Sequence, residues 1–265
     1  MAEHVTFSFG ENWKRYLQES YSEEALLEAT RSLTEFFGTE GLRDRSFLDI
    51  GCGSGMFSLA AHRLGASVMS MDIDPQSVEC TRLLCSREGK PQSWTVMQGS
   101  ILDDAFLRHV RKADVVYSWG VLHHTGNMWK AIENAGTLVK PGGMLVVAIY
   151  NRADGLFGSR FWLHTKRVYN HLPTPGKRVV EWGYFGTFVA CCLVTLRNPF
   201  RKIRAYRGRR GMNWWSDARD WLGGLPYEYA GVDEVVLFMK IRGFEAAKVH
   251  RARYTANNQF LFRKK

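Results

Sequence analysis

Ser46-Phe47-Leu48-Asp49-Ile50-Gly51-Cys52-Gly53-Ser54-Gly55 is the most informative stretch of this chain. Its first half predicts a short buried strand, and its glycines at alternate positions predict a sharp turn whose backbone can approach a ligand closely. Helical spacing of apolar residues then runs from Met56 to Leu64 and stops at Gly65, as expected at the end of a helix. The stretch predicts a strand, a glycine turn and a helix that presents its first amide groups to the turn.

The same unit repeats along the chain. The second strand ends at Asp72, and Pro75 opens the next helix at the position that proline tolerates best. The pattern predicts strands at 46–50, 67–71, 93–97, 113–118, 144–150, 245–250 and 258–262, and helices at 23–37 and 232–239, among others. Strands that alternate with helices form parallel sheets. We expect an α/β fold: a Rossmann-like, doubly wound, mostly parallel seven-stranded sheet with an antiparallel edge strand and a capping insertion.

Length and composition fit one such domain. The chain has 265 residues, of which 45% are hydrophobic and 23% charged, as in an ordinary soluble globular protein. We assign residues 1–151 to the core, with N-terminal helices and the first five strands, and residues 231–265 to a C-terminal helix and the last two strands. Residues 152–230 are irregular, aromatic and basic. We expect them to form an insertion that caps the substrate site.

The cysteines and the N-terminus bear on the compartment. The five cysteines lack the paired spacing of a disulfide framework or a zinc site. The first residues lack the basic segment and apolar core of a secretory signal. Asp217 and Asp220 are too few and too isolated for a metal site, which needs several converging oxygen ligands. We therefore expect a cytoplasmic protein and no metal.

Two features of the insertion concern its surface. The net charge is +10, and much of it lies in the run 201–210, outside the segments that form the glycine turn. The apolar stretch 179–196 approaches the length of a membrane span, but a span would contain Glu181 and would separate the last strands from their sheet. We expect no transmembrane span and favour a buried cap helix. A peripheral membrane contact through 179–210 stays open as the alternative.

The glycine turn differs from one that binds a dinucleotide. Met56 and Phe57 stand where the dinucleotide fingerprint has its third glycine. Asp49, directly before the turn, would sit poorly beside a pyrophosphate but well beside a cationic amine. S-adenosylmethionine carries such an amine and no phosphate, and it is the expected cofactor.

Five segments in order resemble the motifs of class I S-adenosylmethionine-dependent methyltransferases, nearest the polyprenyl-quinol methylase type of small-molecule enzyme. They are residues 48–55 (motif I), 70–74 (second strand), 98–101 (beside the adenine), 114–124 (fourth strand) and 138–143 (the turn before the fifth strand). The resemblance covers residues 45–151 and the C-terminal sheet edge, and 152–230 matches no general family pattern. It implies the cofactor-binding residues Asp49, Gly51, Cys52, Gly53, Gly55, Asp72, Ile73, Ser100, Ile101 and Ser118. Asp72 is the candidate for the ribose hydroxyls, with helix capping as the alternative role of Asp49 and Asp72.

The acceptor side of the site carries a possible base. Methyl transfer from a sulfonium mainly needs alignment and exclusion of water, so a strong base is optional. For a hydroxyl acceptor, His123 or His124 after the fourth strand is the candidate. An adjacent histidine pair can equally be structural, and that alternative stays open.

Aromatic and polar residues are expected around the acceptor. Trp119, Tyr150 and Asn151 follow the fourth and fifth strands, where pockets form in such sheets. Trp214, Asp217 and Trp221 of the insertion are expected in the pocket wall or a lid, with a packed loop as the plainer alternative.

Three functions compete on this sequence. We expect methyl transfer to a small-molecule acceptor at oxygen, with carbon, nitrogen and sulfur acceptors left open, and the basic charge allows that acceptor to be anionic. An RNA methyltransferase that uses the run 201–210 is the first alternative, although the Asn-Pro-Pro-aromatic motif of amino-methylating enzymes is absent after the fourth strand. A non-catalytic module that binds the cofactor is the second.

Overall fold

A computed structural model describes residues 22–38, 41–210 and 214–265 of the chain, without side chains at 205–210 and 216. Seven strands form one sheet: β1 (Ser46–Ile50), β2 (Ser67–Asp72), β3 (Trp94–Gln98), β4 (Ala113–Trp119), β5 (Val139–Tyr150), β6 (Phe244–His250) and β7 (Asn257–Lys264). The helices of the core are α1 (Glu23–Phe37), α2 (Met56–Arg63), α3 (Pro75–Arg87), α4 (Asp104–Leu107), a 3₁₀ helix (Leu122–His124), α5 (Met128–Thr137) and α10 (Val232–Lys240). The helices of the insertion are α6 (Ser159–His171), α7 (Thr174–Val194), α8 (Pro199–Arg210) and α9 (Trp214–Gly223).

The strand order is β3-β2-β1-β4-β5-β7-β6. Strands β1 to β5 pair in parallel, and β7 runs antiparallel to both β5 and β6. This confirms the expected Rossmann-like, mostly parallel seven-stranded sheet, with the reversed strand second from the edge. Because parallel strands share one carboxyl edge, the ends of β1, β2, β4 and β5 meet at the same side of the sheet.

Apolar side chains cover both faces of the sheet. One buried cluster joins the sheet to α5 and α10 through residues such as Ile132 and Val235. The other joins it to α1, α2 and α3 through residues such as Leu33, Leu59 and Leu84. Residue-by-residue alternation along β1 and β4 sends neighbouring side chains into opposite clusters. The doubly wound arrangement therefore follows from burial on two faces.

The strand that the sequence predicts at 144–150 begins earlier, at Val139. Val139 pairs with Ala113, and the register then shifts before Val115 pairs with Met144. A β-bulge of this kind lets the strand continue through residues that otherwise indicate a turn. The turn that the sequence predicts at 140–143, before the strand, therefore lies within β5 and interrupts its pairing.

The insertion is helical, which corrects our reading of it as irregular. In α6 the buried residues are Ser159, Lys166 and Tyr169, and in α7 only Cys192 is buried. Burial in these two helices does not follow their apolar residues, since α6 buries a lysine and α7 leaves several large apolar side chains exposed. Their packing against the core is described with the site below.

The helix α7 is not the buried cap helix that the apolar stretch 179–196 suggested. Its exposed residues include Val179, Trp182, Leu193 and Val194. Glu181 accepts a hydrogen bond from the Tyr169 hydroxyl at 2.9 Å and from Arg219 Nε at 3.1 Å, so it ties α7 to α6 and α9. Among the described residues, no helix has both the length and the hydropathy that crossing a bilayer requires.

Candidate functional site

The glycine turn after β1 depends on backbone conformations that favour glycine. Gly51, Gly53 and Gly55 have φ angles of +74°, +53° and +80°. The amides of Gly51 and Cys52 both donate to the Met71 carbonyl, at 2.8 and 3.1 Å, which fixes the turn to the end of β2. A side chain at position 51 would lie 2.4 Å from Val121 Cγ1. The turn is therefore in direct contact with the segment that leads into the 3₁₀ helix.

Asp72 joins the glycine turn to the start of α3. Its Oδ2 accepts from the Gly53 amide at 3.0 Å and its Oδ1 accepts from the Asp74 amide at 2.9 Å. Burial raises its pKa, although these hydrogen bonds act in the opposite direction. The amide of Ile73 also stabilises the ionised form of Asp72. A carboxylate has about four acceptor positions, so these three amides leave room for a further donor. Beside it, the Ile73 side chain is 67% exposed and offers an apolar surface.

Asp49 terminates a buried chain of hydrogen bonds. Trp94 Nε1 donates to Ser70 Oγ at 2.9 Å, the Ser70 and Ser58 hydroxyls lie 2.7 Å apart, and Ser58 Oγ donates to Asp49 Oδ2 at 2.6 Å. An indole N–H can only donate, so with Asp49 ionised every proton in the chain points toward its carboxylate. Burial raises the pKa of Asp49 to about 7, helped by the charge of Asp72 and opposed by Ser58. A cation placed here would relieve that cost.

The other predicted cofactor residues support the backbone around the turn. Cys52 is buried, and its sulfur accepts from the Thr81 hydroxyl at 3.2 Å. Ser118 Oγ donates to the Ile50 carbonyl at 3.0 Å, which ties β4 to β1. Ser100 Oγ accepts from the Leu102 amide at 3.1 Å, and Ile101 is buried. All four lie at the carboxyl edge of the sheet, and their contact with a cofactor stays a prediction.

The two histidines are held by backbone groups. His123 is fully buried, and its Nδ1 accepts from the Tyr150 amide at 3.4 Å. His124 Nδ1 lies 2.6 Å from the Pro226 carbonyl oxygen, which can only accept, so that nitrogen carries the proton. Burial lowers the pKa of His123 well below its usual value and that of His124 to about 4. Both rings are neutral near pH 7, and their role as a base stays a prediction.

A lysine of the insertion reaches this same place. Lys166 of α6 is fully buried, with its Nζ 4.3 Å from the ring centroid of Trp221 and 4.8 Å from that of Tyr227. Its Nζ also donates to the Trp221 carbonyl oxygen. Burial lowers its pKa to about 7, although Asp220 favours the charged form. We call the group of His123, His124, Tyr150, Lys166, Trp221 and Tyr227 the acceptor-end cluster.

Tyr150, the last residue of β5, is the centre of the acceptor-end cluster. Its ring centroid lies 3.9 Å from that of His123, 5.5 Å from that of Trp221 and 5.1 Å from that of Tyr227. Two of the predicted pocket residues, Tyr150 and Trp221, are thus brought together although 71 positions separate them in the sequence (221 − 150). The cluster joins β5, the 3₁₀ helix, α6, α9 and the segment after α9.

The other predicted pocket residues lie in different surroundings. Trp119 stacks on Tyr117 with centroids 5.7 Å apart and contacts Phe36 of α1, outside the acceptor-end cluster. Asn151 donates to the Tyr254 carbonyl at 2.6 Å and accepts from Asn258 at 2.9 Å. Trp214 packs on aromatic residues of α7, where burial, with a smaller contribution from the charge of Asp217, raises the pKa of Tyr184. A place for these four in the pocket stays a prediction.

Sequence analysis missed Lys166 and Tyr227. Lys166 stands among the polar residues His164, Thr165 and Arg167, which resemble the solvated face of a helix. Tyr227 lies in a loop whose partner, β5, is remote in the sequence. No local pattern distinguishes a lysine that faces inward, so only the packing of α6 against α9 reveals it. In the described part of the chain, no group of three or more His, Cys, Asp or Glu residues is placed to hold a metal.

Comparison with known proteins gives the family. A model of the methyltransferase domain family matches residues 15–221. The chain belongs to this methyltransferase domain family. Ubiquinone biosynthesis O-methyltransferases are similar to it: that of Brucella ovis is 32% identical over 119 residues, 45% of each chain, and that of Xanthomonas axonopodis pv. citri is 31% identical over 110 residues, 42% of this chain and 45% of the relative. The chain therefore matches less than half the length of these curated relatives.

Solved structures share the fold of this chain. Magnesium protoporphyrin IX methyltransferase from Synechocystis PCC 6803, with bound SAH, superposes with a TM-score of 0.56 at 14% identity, covering 96% of this chain and 94% of that one. An O-methyltransferase family protein from Burkholderia thailandensis gives a TM-score of 0.54 at 13% identity, covering 89% and 56%. At such identities the likeness concerns the fold. Together with the family match, it supports S-adenosylmethionine as the cofactor.

The geometry of the glycine turn makes a prediction about stability. Gly51→Ala should lower the free energy of unfolding by about 1–2 kcal/mol for the positive φ and by about 1–3 kcal/mol for the contact with Val121. The measurement is chemical denaturation of Gly51→Ala, Val121→Ala and the double variant. The double variant should recover the steric part relative to the sum of the two single changes. Wild-type stability in Gly51→Ala would contradict the described turn.

Proposed function

We propose that the chain transfers a methyl group from S-adenosylmethionine to a small-molecule acceptor, at an oxygen atom. The observation that carries the proposal is the contact of Gly51 with Val121, because it sets the glycine turn beside the segment that begins the acceptor-end cluster. Donor and acceptor sites that adjoin at the carboxyl edge of a sheet suit an in-line group transfer. The family match and the O-methyltransferase relatives support the same reaction.

The residues at the donor side fit the cofactor. When bound, S-adenosylmethionine supplies a sulfonium whose methyl group is already activated. We assign the ribose hydroxyls to the free acceptor positions of Asp72 and the adenine to the exposed face of Ile73. We assign the amino group to Asp49, since a buried carboxylate with a raised pKa favours a cationic neighbour. The glycine turn lets the backbone approach all three groups.

The acceptor side fits a flat or apolar molecule with an anionic or acidic oxygen. Its walls are the rings of Tyr150, Trp221 and Tyr227, and its charge comes from Lys166. We assign α6 to α9 the role of a substrate cap, supported by the contacts of Lys166 and Trp221 with β5 and its neighbours. We also place the enzyme in the cytoplasm, supported by its five cysteines, all of which are free thiols.

The assignment of Asp72 predicts a specific loss of binding. Asp72→Ala should weaken S-adenosylmethionine binding about a hundredfold or more, because two charge-assisted hydrogen bonds to the ribose are removed. Asp74→Ala is the matched control: Asp74 caps α3 through the amides of Gln76 and Ser77, so its loss should cost about 1 kcal/mol of stability and little affinity. Isothermal titration of both variants measures the difference. Equal affinity in Asp72→Ala and the wild type would refute the assignment.

The reaction itself is tested without knowing the acceptor. We expect labelled methyl from S-adenosylmethionine, incubated with the protein and a cell extract, to enter a small-molecule fraction. The Asp72→Ala variant gives the background. Nuclease-sensitive label in the acid-precipitable fraction would instead favour an RNA methyltransferase that uses the basic helix α8. Absence of label in every fraction would favour a module that binds the cofactor without catalysis.

We also propose that the surface of α7 and the start of α8 contacts an anionic membrane. Val194 is 85% exposed and Leu196 is 96% exposed, and Phe200 follows them on the surface. Arg197, Arg201, Lys202 and Arg204 are exposed beside these apolar residues. Apolar side chains next to basic ones bind the interface of an anionic bilayer, the first by insertion and the second by attraction to headgroups. A lipid surface would cover side chains that the fold leaves in water.

The membrane contact predicts a dependence on lipid charge. The protein should sediment with vesicles of phosphatidylcholine and phosphatidylserine and much less with phosphatidylcholine alone, and added salt should weaken the binding. Val194→Asp/Leu196→Asp should abolish sedimentation. Leu237→Asp, at an exposed apolar residue of α10, is the control that should leave it unchanged. Equal sedimentation of the double variant and the wild type would refute the proposed membrane contact of this surface.

A further inference from the structure

Lys166 occupies a position that does not satisfy its side chain. It is fully buried, and no salt bridge joins it to a carboxylate in the part of the chain that the structure describes. A lysine ammonium has three donors, and the Trp221 carbonyl is the one oxygen that accepts from it among the described residues. Its other neighbours are the faces of Trp221 and Tyr227. Two donors therefore face surroundings that supply no oxygen.

The charged and titratable groups around Lys166 do little to stabilise its ammonium. His123 and His124 of the 3₁₀ helix are neutral and bonded to backbone groups, and the positive charge of Lys166 further lowers the pKa of each. Tyr150 and Tyr227 supply phenol rings, and Asp220 supplies the one opposing charge, which does not offset burial. An ionisable group held in such surroundings is costly to the fold unless a ligand uses it.

We propose that Lys166 is the acid–base and anion-binding residue of the acceptor site, and that its Nζ holds the oxygen of an acidic hydroxyl group on the acceptor. This rests on the proposed methyl transfer. The acceptor oxygen bonds to the methyl carbon as the carbon–sulfur bond of the sulfonium breaks and leaves its electron pair on sulfur. The hydroxyl proton passes to the neutral amine of Lys166, which becomes an ammonium. A pKa of about 7 makes both forms of Lys166 available near neutral pH.

The position of Lys166 favours it over the two histidines. His123 accepts from the Tyr150 amide at Nδ1, so its proton lies on Nε2 and neither ring nitrogen is left to accept another proton. His124 donates from Nδ1 to the Pro226 carbonyl, and burial lowers its pKa to about 4, so its Nε2 is a weak base near neutral pH. Lys166 instead stands on α6 of the insertion and bonds to α9 through one carbonyl. An acceptor oxygen that displaces the Trp221 carbonyl would meet an amine already aimed between two aromatic faces. The walls would then hold a flat acceptor body while Lys166 holds its oxygen.

The binding test uses 4-nitrophenol, whose ionised form absorbs visible light, and needs no methyl transfer. We expect the full chain, saturated with S-adenosylhomocysteine, to bind the phenolate and lower its pKa. Lys166→Met should reduce phenolate affinity about tenfold or more, and Lys166→Arg should retain most of it. Lys177→Met is the matched control, since Lys177 also lies over a ring, that of Tyr169 at 5.6 Å, outside the cluster. No binding, or equal binding by Lys166→Met, overturns the proposal.

Two further measurements separate a site residue from a structural one. Methionine has the length of the lysine stem without its charge, so Lys166→Met should fold with an unchanged or higher Tm.

If Lys166→Met does not fold, the pH profile of kcat/KM of Lys166→Arg tests the proposal instead. In the wild type that profile should have a limb near pH 7. Lys166→Arg should lose this limb together with most of kcat/KM, because a guanidinium stays protonated and cannot take up the hydroxyl proton. Wild-type activity with an unshifted limb in Lys166→Arg overturns the role of Lys166 and leaves methyl transfer intact. Phenolate binding that depends on Lys166, without methyl transfer by the wild type, would instead refute only the proposed reaction.

Discussion

The parallel pairing of β1 between β2 and β4 is the constraint on which the rest of the structure depends. It brings the glycine turn, the carboxylate at the end of β2 and the segment after β4 to one edge. The amides of Gly51 and Cys52 then bond to β2, and Gly51 meets Val121. None of these contacts is local in sequence, yet each follows once three strands share a direction and a register. The sheet thus determines where donor and acceptor can meet, and the loops determine what they are.

Two buried ionisable groups of opposite charge lie at this edge of the sheet, one at the donor side and one at the acceptor side. Asp49 at the donor side has a raised pKa, and Lys166 at the acceptor side has a lowered one, both chiefly because burial disfavours charge. A cationic cofactor would favour the ionised form of Asp49, and an anionic acceptor would favour the ionised form of Lys166. The free-energy cost of burying each charged group is thus reduced when a ligand of the opposite charge binds beside it. The cationic cofactor and an anionic acceptor would therefore each bind beside the buried group of opposite charge.

The sequence predicted the core well because its signals are local. The glycine turn and the capping residues of α3 each lie within a few positions of the strand or helix they define. The apolar period that predicts α1 likewise lies within the helix itself. In the insertion, the sequence indicated a helix only at the apolar stretch 179–196, which it wrongly expected to be buried. α6 buries the polar residue Lys166 beside Tyr169, and α7 buries Cys192 alone, so burial in these helices does not follow the apolar residues. Tyr150 and Trp221 were found as separate candidates, but their contact depends on how α9 returns to β5. Lys166 could not be found, since a lysine beside an arginine in a polar helix indicates a solvated surface.

The division between core and insertion also explains why the reaction is easier to infer than the acceptor. Residues at the donor side belong to strand ends and turns whose geometry the whole sheet enforces. At the acceptor side, Tyr150 and the histidines come from the core, whereas Lys166, Trp221 and Tyr227 come from the insertion and its return to α10. The same insertion carries the exposed apolar and basic residues of α7 and α8. The proposed acceptor site and the proposed membrane contact therefore involve the same packed helices: Glu181 of α7 bonds to Tyr169 of α6 and Arg219 of α9, and Lys166 of α6 bonds to the Trp221 carbonyl of α9.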